Sequence, residues 1–258
     1  MSSKAELIRS YELGGIYSDW KNLADHKFGT LESQKVYDNL DACGIIPKKN
    51  ENLVFISPSA SIPTHEFAMW QKDSSTRIGK NNFLIGDISQ INPVSVTQRT
   101  NFSNHYIFQY LRMDAEAMPF PDNFADIIWD RKGALWHKAY ESENLEQVLE
   151  LLLKYHEILK PGGSVVIDAI DGFAEHLKSL SHVDLRRMIR NRHECKLRNI
   201  PLNFSNYLPK DIPQFEESTV DLIRQIDPNF HNNNTIKSKF KIKEIGKNKL
   251  KICVFKKK

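Results

Sequence analysis

Apolar residues along this chain fall into short blocks that alternate with stretches of helical spacing. Asn52–Ile56 (NLVFI), Phe83–Asp87, Ile107–Met113, Ala125–Asp130 and Ser164–Ile170 are brief runs rich in β-branched and aromatic residues, and they predict buried strands. Between them, Leu31–Cys43 carries Val36, Leu40 and Cys43 on one helical face and meets Gly44 and Pro47, which predicts a helix and its stop. A second helix is predicted from about Thr64 to Lys72, with Pro63 at its first position, where a missing N–H costs nothing. Glu143–Leu159 places Leu145, Val148, Leu149, Leu152, Leu153, His156 and Leu159 at helical spacing. Lys160-Pro161-Gly162-Gly163 then predicts a tight turn, because proline cannot continue the helix and glycine accepts a positive φ.

Strands alternating with helices predict an α/β fold with a mostly parallel sheet. Ligands of such sheets sit beyond the carboxyl ends of the strands, and Asp87, Asp114, Asp130 and Asp168 all lie at or near such ends. Lys72–Asn82 reads as a polar loop and Ile91–Tyr106 as an irregular connection. Phe173–Leu180, His182–Leu197 and Phe215–Ile226 read as helices, with Asn199–Pro213 a proline-marked loop. The last segment, SKFKIKEI-GKNK-LKICVFKKK, predicts a hairpin with Phe240, Ile242, Leu250, Ile252 and Val254 inward. Its outward lysines protect a sheet edge.

Two motifs carry a resemblance. DAEAMPFPDNFADIIWD at 114–130, followed about one helix later by ILKPGGSVVI, is similar to the second half of the class I S-adenosylmethionine-dependent methyltransferase domain. That resemblance implies a Rossmann-like, doubly wound, mostly parallel sheet of seven strands with an antiparallel C-terminal hairpin. It implies residues 45–258 as the methyltransferase-like domain and 1–44 as an N-terminal helical or lid segment, with Tyr17 and Trp20 able either to cover a cofactor or to pack on the sheet. It implies S-adenosyl-L-methionine as cofactor. Asp87 would take the ribose hydroxyls, and Asp114 with the backbone of Ala115 would take the adenine. The resembling family has an acid on the first strand and glycines in the following turn; aligned on the strand, Phe55 replaces the acid and Ser57, Ser59 and Ser61 replace the glycines. These serines are the candidate contacts to the donor's methionine end. Asp114 has a plain alternative, since Asx residues commonly cap the turn after a strand.

After the fourth strand comes WDRKGALWH, similar to strings in some protein-lysine and small-thiol methyltransferases and unlike the Asn/Asp-Pro-Pro motif of base and glutamine methylation. Asp130 and His137 are therefore candidate bases or substrate clamps, Asp130 also a candidate cofactor contact, and Trp136 a candidate pocket wall. Asp130 pairing with Arg131 or Lys132, and His137 capping a helix, are the structural alternatives. The implied function is methyl transfer to a small-molecule or protein acceptor. Its alternative is a catalytically inactive relative that acts as a binding or regulatory subunit through a protein partner.

Composition narrows this further. At 258 residues, 40% hydrophobic and net charge +4, the chain has ordinary globular make-up, enough for one sizeable core. Arg186, Arg187, Arg190, Arg192 and Arg198 form a basic run that is expected to be solvated, with no nucleic-acid partner. No run spans a bilayer and MSSKAELIRS lacks a signal's apolar core, so a cytoplasmic protein without a membrane partner is expected. Cys43, Cys195 and Cys253 fit reduced thiols, and no metal site is expected, His193-x-Cys195 being read as coincidence. A GxGxxG after the first strand is missing, which sets aside a nicotinamide-dependent oxidoreductase.

Overall fold

The computed structural model describes residues 30–59, 64–87, 106–131, 133–141, 145–169, 218–246 and 251–258. Seven strands form one sheet in the order β3-β2-β1-β4-β5-β7-β6. They are β1 Leu53–Ser57, β2 Asn81–Asp87, β3 Tyr106–Arg112, β4 Ala125–Asp130, β5 Leu159–Asp168, β6 Phe240–Ile245 and β7 Ile252–Lys257. Strands β1 to β5 pair in parallel and β7 runs antiparallel to both neighbours, β5 and β6. The sheet expected from the sequence is the one found.

Helices cover both faces. On one side lie α1 (Thr30–Ala42) and α2 (Thr64–Ser74), with Val36, Tyr37, Leu40, Met69 and Trp70 packed on Phe55, Phe83, Ile85 and Phe108. On the other lie α3 (Ala134–Glu141), α4 (Glu146–Ile158) and α5 (Thr219–Ile226), with Leu135, Val148, Leu152, Val220 and Ile223 against Ile56, Ile128, Val165 and Phe255. Val36, Tyr37 and Leu40 thus make α1 part of the core. Tyr17, Trp20 and the predicted helices at 173–197 lie outside the described residues. A short helix, α6 (Asn234–Lys239), leads into β6.

Three local expectations are corrected. The predicted turn at Lys160–Gly163 is an irregular excursion inside β5, which pairs at Leu159↔Ala125 and resumes at Ser164↔Ile127. Gly162, at φ +78, supplies the left-handed residue this needs. Secondly, β7 is an interior strand, so Cys253 and Phe255 are buried as well as Ile252 and Val254, on opposite faces. The alternating edge pattern belongs to β6 alone, where Lys241 and Lys243 are exposed.

Thirdly, the polar loop after α2 is exposed at Ser75, Thr76 and Ile78 but also carries a buried network. Asp73, fully buried, accepts hydrogen bonds from the Tyr37 hydroxyl, from Arg77 Nε at 2.8 and 3.0 Å and from Asn81 Nδ2 at 2.7 Å. Arg77 Nη1 donates to the carbonyls of Lys48 and Glu51, each at 2.8 Å. A buried ion pair survives only when its remaining donors and acceptors are met, and here they tie α1, α2 and the start of β2 together. Among the described residues no helix is long and apolar enough to cross a membrane.

Candidate functional site

The carboxyl ends of β1 to β5 gather the acids that the sequence singled out. Asp87 closes β2 and is 4% exposed; its carbonyl accepts the Met113 amide at 2.9 Å. Asp114 follows directly, so the two acids stand at the tips of adjoining strands. Asp114 Oδ1 accepts the Glu116 amide at 2.9 Å and its carbonyl accepts the Ala117 amide at 3.0 Å. The turn-capping alternative for Asp114 is therefore realised, and the turn fixes the carboxylate beside a buried Ala115. Gly86 allows this juncture: a Cβ there would stand 2.6 Å from Met113 Cβ and 2.8 Å from the Leu111 carbonyl oxygen.

At the end of β1, Phe55 is a core residue. Its ring stacks on Phe83 at 4.4 Å, so a carboxylate at this position would be buried among aromatics. Ser57 is 2% exposed and turns its hydroxyl inward, donating to Glu66 Oε1 at 3.1 Å. Ser59 accepts the Ala134 amide at 3.1 Å and so fastens the loop after β1 to the start of α3. Gly133 lets the two loops meet: a Cβ on it would lie 2.7 Å from Ser59 Cβ and 2.3 Å from Asp130 Oδ1. Among the described residues only Asn123 has a positive φ without being glycine, so Ser57 and Ser59 occupy conformations open to any residue. Ser61 lies outside the described residues.

Glu66, in the first turn of α2, was not singled out by the sequence reading. It is 4% exposed, and its Oε2 has no hydrogen-bond partner among the described residues. Burial pushes its carboxyl up to about 7, against the opposing effects of its own amide, the Ser57 hydroxyl and the Arg131 charge. On the same face of the sheet, the Tyr110 hydroxyl also lacks a partner among the described residues, and burial followed by the charges of Asp87 and Glu66 raises its pKa. Beside Glu66, His65 Nδ1 lies 2.6 Å from Ser33 Oγ, and Arg131 Nη1 lies 3.2 Å from both His65 ring nitrogens. The signal for Glu66 was available: an acid in the first turn of a helix, two residues after its start and facing the sheet, is unlike the usual solvated N-terminal glutamate.

Asp130 stands at the end of β4 with 1% exposure. Its Oδ2 accepts the Tyr155 hydroxyl at 2.7 Å and the Leu135 amide at 3.1 Å. It holds the first turn of α3 and the face of α4; Lys132, one of the two pairing alternatives, lies outside the described residues. Burial pushes its carboxyl up to about 6, opposed by Tyr155 and the backbone amides. This arrangement favours a positioning residue over the base expected from sequence. Trp136, expected as a pocket wall, is buried in the core at 5% exposure. His137 is half-buried, with its ring edge-on to Trp136 at 5.3 Å. Asp168, at the end of β5, is likewise occupied, accepting from the Thr219 amide at 2.9 Å and hydroxyl at 2.5 Å at the start of α5.

Residues 75–167 match the family described as a methyltransferase domain. Curated relatives include the ubiquinone/menaquinone biosynthesis C-methyltransferase of Pseudomonas fluorescens, 24% identical over 167 residues that cover 65% of this chain and 54% of the relative. The protein of the same name from Coxiella burnetii is 26% identical over 65% of this chain and 55% of its own length. The chain spans about half the length of these relatives. Among solved structures, the CurJ carbon methyltransferase superposes with a TM-score of 0.51 at 11% identity, over 87% of this chain and 54% of that one, a likeness of fold.

Proposed function

We propose that this chain is a class I S-adenosylmethionine-dependent methyltransferase that binds S-adenosyl-L-methionine across the tips of β1, β2 and β3 and methylates an acceptor beside the loop after β4. The observation that carries the reading is the placement of Asp87 and Asp114 side by side at adjoining strand tips. A carboxylate accepts from both of two vicinal hydroxyls, so Asp87 suits a ribose, while Asp114 and the amide of Ala115 suit the edge of a purine. The residues fit a cationic amino-acid nucleoside. Tyr110 and Glu66 Oε2 are buried polar groups without a partner among the described residues, at the same end of the sheet as Asp87.

When bound, S-adenosylmethionine supplies an electrophilic methyl group on a sulfonium centre. The chain's own part is to orient and to hold. Asp130, through Tyr155 and Leu135, fixes the loop that leads into α3, and Ser59 fastens that loop to β1. Such positioning supplies rate by bringing the reacting atoms together. We assign His137, one of the titratable residues of α3, to the acceptor side. The two relatives named above carry names for carbon methylation in ubiquinone and menaquinone biosynthesis, which supports a small-molecule acceptor over a protein.

Calorimetric titration with S-adenosylhomocysteine tests the reading. Binding is expected, and Asp87→Asn and Asp114→Asn should each weaken it by about 1–3 kcal/mol. No heat with millimolar ligand would overturn it in favour of a non-catalytic binding subunit, the reading that Phe55 in place of an acid would then favour.

A further inference from the structure

The buried carboxylate of Glu66 has a purpose that neither the fold nor its one neighbouring hydroxyl explains. A carboxylate removed from water costs several kcal/mol unless it is paired or fully hydrogen-bonded. Among the described residues Asp73 and Asp168 meet that condition, whereas Asp130 Oδ1 is, like Glu66 Oε2, buried without a partner. Asp73 has its arginine, tyrosine and asparagine, and Asp168 has two donors from Thr219. Glu66 has the Ser57 hydroxyl on Oε1 and the influence of its own amide, and Oε2 faces no donor among the described residues. The nearest guanidinium, Arg131, is felt as a charge and stands against the His65 ring. The carboxylate is therefore held in place, kept dry and left with one acceptor to spare.

Its position says what could fill that acceptor. Ser57 ends β1, one strand over from Asp87, and Glu66 reaches it from α2. Tyr110 on β3 experiences both Asp87 and Glu66. A ligand whose sugar rests on Asp87 would therefore direct its next group along the strand tips towards Ser57 and Glu66.

We propose that Glu66 binds the α-ammonium group of the donor's amino-acid end, supplying from α2 the carboxylate that β1 cannot carry where Phe55 stacks on Phe83. Ser57 acts as a positioning residue, since its hydroxyl occupies Oε1 and leaves Oε2 for the ammonium. This inference rests on the donor-binding reading above and adds to it the recognition of the zwitterion.

The test compares two ligands on the full chain by calorimetry. S-Adenosylhomocysteine carries the ammonium, whereas 5′-methylthioadenosine keeps the nucleoside and lacks the amino acid. Glu66→Gln preserves shape and removes the charge. It should weaken S-adenosylhomocysteine by about 10- to 100-fold and leave 5′-methylthioadenosine within about twofold, which also shows that the variant is folded. Equal loss for both ligands, or no loss for either, overturns the assignment. If the unchanged chain binds 5′-methylthioadenosine and not S-adenosylhomocysteine, the nucleoside site stands and this inference falls. Binding of neither ligand removes the donor site itself.

Discussion

Replacing Glu66 by glutamine should stabilise the unliganded protein, and only at neutral and alkaline pH. The ordinary carboxyl value is 4.5, and in the fold burial raises it to about 7. A group raised on folding contributes stability that is fully present below its unfolded value and is lost as pH rises through its folded value. For Glu66 that window runs from about 4.5 to about 7. Integrated between about pH 5 and about pH 8, the loss is ~2.5 kcal/mol. The groups around it are Ser57, Arg131, Asp87 and Tyr110, and all remain in the variant. Asp130 is raised in the same direction and also remains, so the difference between the two proteins isolates Glu66. Urea titrations at the two pH values measure it directly. The two chains should be close in stability at the lower pH, with the variant ahead by about 2–3 kcal/mol at the higher one. In thermal melts that is about 5–10 °C for a chain of this size. A variant less stable than the parent by the same amount at both pH values would refute the reasoning, because it would mean the carboxylate is charged and satisfied throughout.

Other outcomes follow from the packing. Asp73→Asn strips the partner from Arg77, whose side chain is fully buried, and should cost about 3–5 kcal/mol in urea unfolding. Gly133→Ala drives a methyl group into Asp130 and Ser59 and should cost about 1–3 kcal/mol while weakening S-adenosylhomocysteine in calorimetry. Tyr155→Phe deprives the buried Asp130 of its hydroxyl donor, and chemical denaturation should register a loss of about 1–3 kcal/mol.

Much of the architecture could be read from the sequence because apolar periodicity reports burial directly. All five parallel strands and helices α1, α2, α4 and α5 lie where the runs and spacings put them, within a few residues at their ends. Polar residues were harder to read. Asp73, Arg77 and Asn81 look like a solvated loop in the sequence, yet they form a buried network, because nothing local says that their partner Tyr37 comes from a helix far earlier in the chain. Glu66 had a local mark, its place in the first turn of a helix, but its burial had none. Its burial is set by β2 and β3, which come later in the chain. The partner of Asp130 was not legible, since Tyr155 sits in the apolar stripe of α4 and only the fold brings it within 2.7 Å. The placement of Asp87 at the end of β2 and of Asp114 just after β3 was legible because strand ends are marked in the sequence itself.

The place of β7 between β5 and β6 bears on how the chain is made. Synthesis is vectorial, so β5 emerges long before the strand that covers its outer margin. Through that interval Val165, Val166 and Ile167 border an incomplete sheet, and its unsatisfied backbone can template association with other nascent copies. Slow translation or scarce chaperones should therefore harm the yield of this protein more than that of an α/β protein whose strands close in chain order.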